Sequence, residues 1–213
     1  MAEKANRHSN AFRFPVGLLS RFECIHTRCM PIKVYKPTTP GRRKSSVQDF
    51  SDITKTRPEK SLLQHIQKKS GRNNTGRITV RHRGGGAKQQ YRMVDFACTN
   101  FDAVGTVTTI EYDPNRGPRI ILVTYEDGTK VYMLGYEGVA VGDTVVSSQK
   151  QIEPKSGARM PLEYIPVGMF VYNVELRPGL GGTLVRGAGL AAQIQALEGK
   201  YAQLKMPSGE MRL

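Results

Sequence analysis

Residues 104–134 read VGTVTTIEYDPNRGPRIILVTYEDGTKVYML, three short β-prone runs over 104–112, 119–125 and 129–134 separated by two turns. Glu126-Asp127-Gly128 is a hairpin signal, because Asp-Gly tolerates the positive φ of a tight turn. Asp113-Pro114-Asn115-Arg116-Gly117 makes the preceding turn by the same chemistry. Short strands at this spacing predict a small β-barrel. The longest aliphatic run, Ile120-Ile121-Leu122-Val123, falls far short of the roughly 18 to 20 residues that a membrane-spanning helix needs. No membrane partner is expected.

Downstream, Gly142-Asp143, Pro154 and Gly157 mark a boundary near 145–155. Strands are expected again over 165–176, 191–197 and 201–206, punctuated by Lys200 and the Pro207-Ser208-Gly209-Glu210 turn, as a second small barrel. Upstream, from Gly76 onward, the period is two. Ile78 and Val80 alternate with Arg77, Thr79 and Arg81, and Tyr91, Met93 and Asp95 with Arg92, Val94 and Phe96, the pattern of half-buried strands. Pro58, Glu59, the apolar Leu62, Leu63 and Ile66, and Lys68-Lys69 fit a short helix. Residues 36–61, rich in Pro, Arg, Lys, Ser and Thr, read as an extended arm that orders against a partner. Residues 1–29 have no clear periodicity. Arg7, Arg13, Arg21 and Arg28 suit an organellar transit peptide, and Met30-Pro31 equally suits the true start of the chain.

The composition agrees with a turn-rich β protein, since Gly numbers 22 and Pro 12 among 213 residues, above the roughly 12% combined average. The net charge of +14 is concentrated. Residues 28–92 hold 17 Lys or Arg and only three acids, Asp49, Asp52 and Glu59, while the rest of the chain is close to neutral. Confinement of the excess to less than a third of the chain is the electrostatic footprint of a polyanionic partner, with nucleic acid first.

Inside that segment, residues 68–96 read KKSGRNNTGRITVRHRGGGAKQQYRMVDF. Arg72, Arg77, Arg81, Arg83, Lys88 and Arg92 offer charge and, for the arginines, planar forks suited to phosphate oxygens. Asn73, Asn74 and His82 suit sugar hydroxyls or base edges, Gly84, Gly85 and Gly86 let backbone N–H groups approach phosphate, and Tyr91 suits stacking on a base. The alternative is a flexible glycine loop beside a basic strand.

This stretch closely resembles the central signature of the universal second protein family of the large ribosomal subunit, RNN-x-GRIT-x-RH-x-GGGHK followed by YR-x-VDF. KPTTPGRR at 36–43, IEYDPNR at 110–116, IPVGMFVYNVELRPGLGG at 165–182 and SGEMR at 208–212 extend the resemblance in order from about residue 31 onward. It implies an all-β fold, an oligonucleotide-binding (OB-fold) barrel followed by an SH3-like barrel, with an extended basic N-terminal arm. The expected division is an extension at 1–29, the arm with its short helix at 30–69, the OB-fold domain at 70–147 and the SH3-like barrel at 148–213. Carried over residue by residue, Arg42, Arg43, Arg72, Asn73, Asn74, Arg77, Arg81, His82, Gly84 to Gly86 and Lys88 match RNA-facing positions, and Arg177 and Arg186 match basic contacts of the second module.

The resemblance implies a structural constituent of the large subunit that binds ribosomal RNA and supports subunit association and assembly of the peptidyl transferase region. Its partners would be large-subunit ribosomal RNA and neighbouring ribosomal proteins, in the cytoplasm or, alternatively, in a mitochondrion or plastid. Three positions depart from the family pattern: Ala87 where His is usual, Leu180 where Lys is usual and Tyr172 where His is usual. The family's basic, histidine-rich tail is absent after Leu213. The SH3-like barrel is therefore expected to be incomplete at its C-terminal end, with an exposed edge, the chain being either a fragment or one product of a split gene whose partner polypeptide supplies the remainder.

No catalytic residue and no cofactor are expected, since neither a P-loop nor a GxSxG elbow occurs and His8, His26, His65 and His82 are scattered. Cys24, His26, Cys29 and Cys98 match no paired zinc spacing, so no metal is expected. An RNA-modifying enzyme would instead require a cleft with convergent acids. A free regulatory RNA-binding module would fail to sediment with the large subunit.

Overall fold

The protein is described by a computed structural model covering residues 32–213. The arm begins as a hairpin in which β1 (Ile32–Val34) runs antiparallel to β2 (Ser46–Gln48). Further along, β3 (Leu63–His65) pairs antiparallel with β4 (Gln90–Arg92). The first barrel sheet comprises β5 (Val104–Glu111), β6 (Ile120–Tyr125), β7 (Lys130–Leu134), β8 (Thr144–Ser147) and β9 (Ala158–Arg159), in the order β7-β6-β5-β8-β9. All its pairings are antiparallel except β8 with β9. The second module is a four-stranded antiparallel meander of β10 (Phe170–Val171), β11 (Ala192–Glu198), β12 (Tyr201–Lys205) and β13 (Met211–Arg212).

The strands expected over 104–134 form, and β6 explains their unusual apolarity. Ile121, Val123 and Tyr125 pack with Val107, Ile110, Met133, Val145 and Cys98, whereas Ile120 and Leu122 pack with Tyr132, Leu62 and Val94 on a second apolar layer. A strand buried on both faces reads as a continuous hydrophobic run rather than an alternation. Between Val107 and Thr109 the register of β5 shifts, and there Thr108 Oγ1 donates to the Leu122 carbonyl at 2.9 Å. Such a bulge increases local twist and bends the sheet toward closure. The Asp127-Gly128 turn closes as expected, with Gly128 at φ +77° and the Tyr125 N–H donating to Thr129 O at 3.0 Å.

The second apolar layer corrects two expectations. Instead of a helix over 58–69 there is one 3-10 turn, Lys60–Leu62, followed at once by β3. Leu62 packs on Tyr132, and Leu63 pairs with Arg92, so the apolar residues read as a helical stripe serve a turn and a ladder. The alternation over 91–96 is also one residue out of phase. Val94 and Arg92 point inward while Met93 is 42% exposed, because Val94 is the side chain that fills the layer beneath Ile120 and Leu122. A one-residue slip of this kind exchanges the two faces.

Two further differences concern strands. Residues 77–81 form no half-buried strand: Ile78 and Val80 are 63% and 50% exposed, and one isolated bridge joins Ile78 to Arg72. Among the described residues no sheet strand pairs with them. Over 165–176 only the two residues of β10 and a bridge from Val174 to Leu184 form. Their core of Val174, Ile194 and Leu204 is small, flanked by Leu162, Ile165, Val171 and Leu184. The strands expected over 191–197 and 201–206 form as β11 and β12, and β13 returns along β12.

The arm is fastened to the barrel by polar contacts. Thr54 N–H donates to Ile110 O at 3.1 Å, and Ile110 N–H donates to Thr54 Oγ1 at 2.9 Å. Asp52 accepts from Arg119 Nε at 2.7 Å and Nη2 at 3.0 Å, with the Arg119 guanidinium lying 5.3 Å from the Phe50 ring centroid. The Arg119 hydrogen bonds hold the Asp52 carboxyl below its ordinary value of 3.8. A carboxyl whose folded pKa is depressed contributes stability above its unfolded value and loses it as pH falls through the folded one. Asp52→Asn should therefore loosen the arm at pH 7, by up to about 1 kcal/mol since the pair is partly exposed. Wild type and variant should converge below the ordinary carboxyl range. Hydrogen exchange at the Thr54 amide, corrected for intrinsic rates, measures this; a pH-independent difference would refute the ion-pair account.

Candidate nucleic-acid interface

The basic stretch folds as a loop between β3 and β4 whose shape is set by its own backbone. Thr79 and Val80 N–H groups both donate to Gly71 O, at 2.9 and 3.1 Å, and Asn73 N–H donates to Arg77 O at 3.0 Å. Asn73 Oδ1 accepts from Thr75 N–H at 3.0 Å, Thr75 Oγ1 at 2.7 Å and Arg77 N–H at 3.0 Å, folding the tip. Gly71 is required: it sits at φ +72°, and a Cβ there would lie 2.3 Å from Val80 O. Lys68 Nζ ties the base of the loop to Ala87 O at 2.9 Å.

Arg72, Asn74, Arg77, Arg81, His82, Arg83 and Lys88 all stand exposed on this scaffold. No acid occurs between Glu59 and Asp95, and none of these cations forms an ion pair among the described residues. Uncompensated charge on a loop raises the local potential toward anions. Gly84, Gly85 and Gly86 lie at positive φ of 133°, 69° and 76°, and a Cβ on Gly85 or Gly86 would meet nothing within 4 Å, so this backbone is open to a ligand. Beside them lies a shallow hollow of about 440 Å³ lined in part by Lys68, Lys69, Arg83 and Gly84. At the arm tip, Arg42 and Arg43 N–H groups donate to Thr39 O, and the Arg42 guanidinium sits 5.5 Å from the Tyr35 ring centroid.

Three expected site residues have structural work. Arg92 is 9% exposed and donates from Nη1 to Gln90 O at 3.0 Å, so it lies under the loop rather than on its surface. Asn73 has its amide oxygen fully engaged in the loop tip, which leaves Asn74 the freer amide. Tyr91 is half-buried and already carries the Arg116 guanidinium over its ring, at 5.4 Å. Ala87, where a side-chain contact is missing, serves the loop through its carbonyl instead.

Arg177 and Arg186 are exposed in the second module. Arg186 is brought to the first module, its guanidinium 4.6 Å from the centroid of Phe96. Phe96 O accepts the Gly182 N–H at 2.9 Å, and the Arg159 guanidinium joins Ala97 O to Glu175. Arg116 appears in the sequence reading only as a turn residue and Phe96 only as one position of an alternating run, and nothing local distinguishes Arg159.

Among the described residues no group of three or more His, Cys, Asp or Glu side chains could hold a metal, and Cys24, His26 and Cys29 lie outside them. No described helix is long and apolar enough to cross a membrane.

Residues 59–147 match the family described as Ribosomal Proteins L2, RNA binding N-terminal domain, and residues 155–213 match Ribosomal Proteins L2, C-terminal domain. The chain belongs to the ribosomal L2 family. The matched segments cover well over half of the chain; β5 to β8 fall in the first and β10 to β13 in the second, while β9 falls in the second and pairs with β8 of the first. Strands β5 to β8 of this L2-family protein belong to an OB-fold, the basic loop lies within the domain described as RNA binding, and the four-stranded meander lies in the C-terminal domain. The family is one of structural ribosomal proteins rather than enzymes, so the protein is ribosome-associated and its role is structural, with ribosomal RNA and ribosomal proteins of the large subunit as partners.

Proposed function

We propose that this protein grips large-subunit ribosomal RNA through the 68–90 loop and the arm tip at Arg42 and Arg43, with Arg177 and Arg186 contributing from the second module. The observation that carries the reading is the set of exposed cations, without an ion pair among the described residues, in a stretch without acids. Arg72, Arg77, Arg81, Arg83 and Lys88 contact phosphates, Asn74 and His82 contact sugars or base edges, and Gly84 to Gly86 admit the RNA backbone. The working division is an arm at 30–69, a first module at 70–147 and a second at 148–213. Held against two parts of the RNA at once, the modules support subunit association and assembly of the peptidyl transferase region in a bacterial-type ribosome, cytoplasmic or organellar.

A tagged copy of the chain should co-sediment with large-subunit particles, and ultraviolet cross-links from residues 72–88 should map to large-subunit ribosomal RNA. Sedimentation at the top of the gradient with other RNAs would identify a free regulatory module instead.

A further inference from the structure

We propose that Phe96 is a positioning residue for RNA binding: its ring seats the Arg186 guanidinium at the junction of the two modules, making that junction a composite phosphate-binding site. This rests on the function proposed above and deepens it.

Phe96 is the fixed point of the junction. Its carbonyl accepts the Gly182 N–H at 2.9 Å, and Gly181, at φ +86°, approaches so closely that a Cβ would lie 3.3 Å from Ala97 N. The adjoining Ala97 carbonyl is held by Arg159, whose other partner, Glu175, also accepts the Gly179 N–H at 2.9 Å. Two guanidinium groups lie over the Phe96 ring, Arg116 at 5.6 Å and Arg186 at 4.6 Å from its centroid. They differ in availability. Arg116 pairs through Nε with the buried Asp113 carboxylate at 2.9 Å, and its Nη1 is enclosed. Arg186 is exposed and has no acid partner among the described residues.

The backbone leading to Arg186 is also constrained. Val185 holds φ +54°, a conformation costly for a β-branched residue, while it is buried and its carbonyl accepts the Asn173 N–H at 3.0 Å. Strain of this kind persists where surrounding contacts over-determine it, and it aims the next side chain. An arginine on a free stem gives up rotamer freedom when it binds, whereas one seated on an aromatic face has already done so. A planar guanidinium over a ring keeps its N–H edge available for a phosphate. The chemistry recognised is an RNA phosphate brought to the junction beside the strand that closes the basic loop.

The test measures affinity for a large-subunit ribosomal RNA fragment with wild type, Phe96→Leu, Arg186→Gln and the double variant. Each single change should cost about tenfold, and the double variant should be little worse than either, because both remove the same contact. Phe96→Tyr, which retains the ring, should restore near wild-type affinity. Arg186→Lys, at an exposed position where folding is not at risk, keeps the charge but gives up the planar stack, and should lose affinity nearly as far as Arg186→Gln. Additive losses in the double variant, or wild-type affinity in Arg186→Lys, would overturn the positioning role. Failure of the wild-type protein itself to bind would overturn the proposed function instead.

Discussion

Replacing Arg77, Arg81 and Arg83 together by alanine should weaken binding to large-subunit ribosomal RNA by about a thousandfold at moderate salt, taking about 1.5 kcal/mol for each charge-assisted contact. The salt dependence should change with it. If roughly six to ten phosphates are contacted, wild-type affinity falls by about 10³ to 10⁵ between 50 and 200 mM salt, and removing three contacts lowers the log-log slope by about three. The fold should be unaffected, because all three side chains are exposed and none forms an ion pair among the described residues. Fluorescence anisotropy across a salt series, with thermal melts alongside, measures both. A flat titration in the wild type would defeat the electrostatic argument, and unfolding of the triple variant would show that the arginines hold the loop together.

Tyr132→Phe should destabilise the first domain by about 2 to 4 kcal/mol, although it removes a single oxygen. Tyr132 is fully buried, and its hydroxyl donates to Glu111 Oε2 at 2.7 Å while accepting the Glu59 N–H at 2.8 Å. Burial and these contacts with Glu111 raise the Tyr132 pKa, so the hydroxyl keeps its proton and remains a donor. Its loss leaves Glu111, 2% exposed, with only the Thr109 hydroxyl at 3.0 Å among the side-chain donors of the described residues, and strips a partner from the backbone where the arm meets the barrel. A buried carboxylate short of donors is costly because the interior screens it poorly. Urea denaturation should show a lower midpoint at an unchanged slope. A change below about 1 kcal/mol would mean that Glu111 finds another donor or water in the variant.

Much of this was legible in the residues. The strands and turns of 104–134 follow from local chemistry, the Asp-Gly turn above all, and the charge footprint follows from composition along the chain. The basic loop's candidacy as an RNA-binding surface was readable for the same reason: it depends on residue types crowded within one short segment. The helix expected at 58–69 failed because Leu62, Leu63 and Ile66 satisfy a helical spacing equally well as a turn and a ladder, and only the presence of β4 and Tyr132 alongside chooses between them. Arg92 was misplaced for a related reason. Its phase within β4 is set by Val94 filling a layer made by residues 26 or more positions away, a contact with no local trace.

The sequence by itself determined the all-β class, the segment in which the positive charge is concentrated and the identity of most cations on its surface, because each depends on neighbours within a few residues. Tertiary structure alone decided which of those groups are free to bind. It buried Arg92, placed Arg116 on Tyr91, engaged the Asn73 amide and carried Arg186 across to Phe96, a partner 90 positions distant in the chain. The physical reason is that charge is a property of the residue, whereas availability depends on desolvation and on partners that long-range packing supplies.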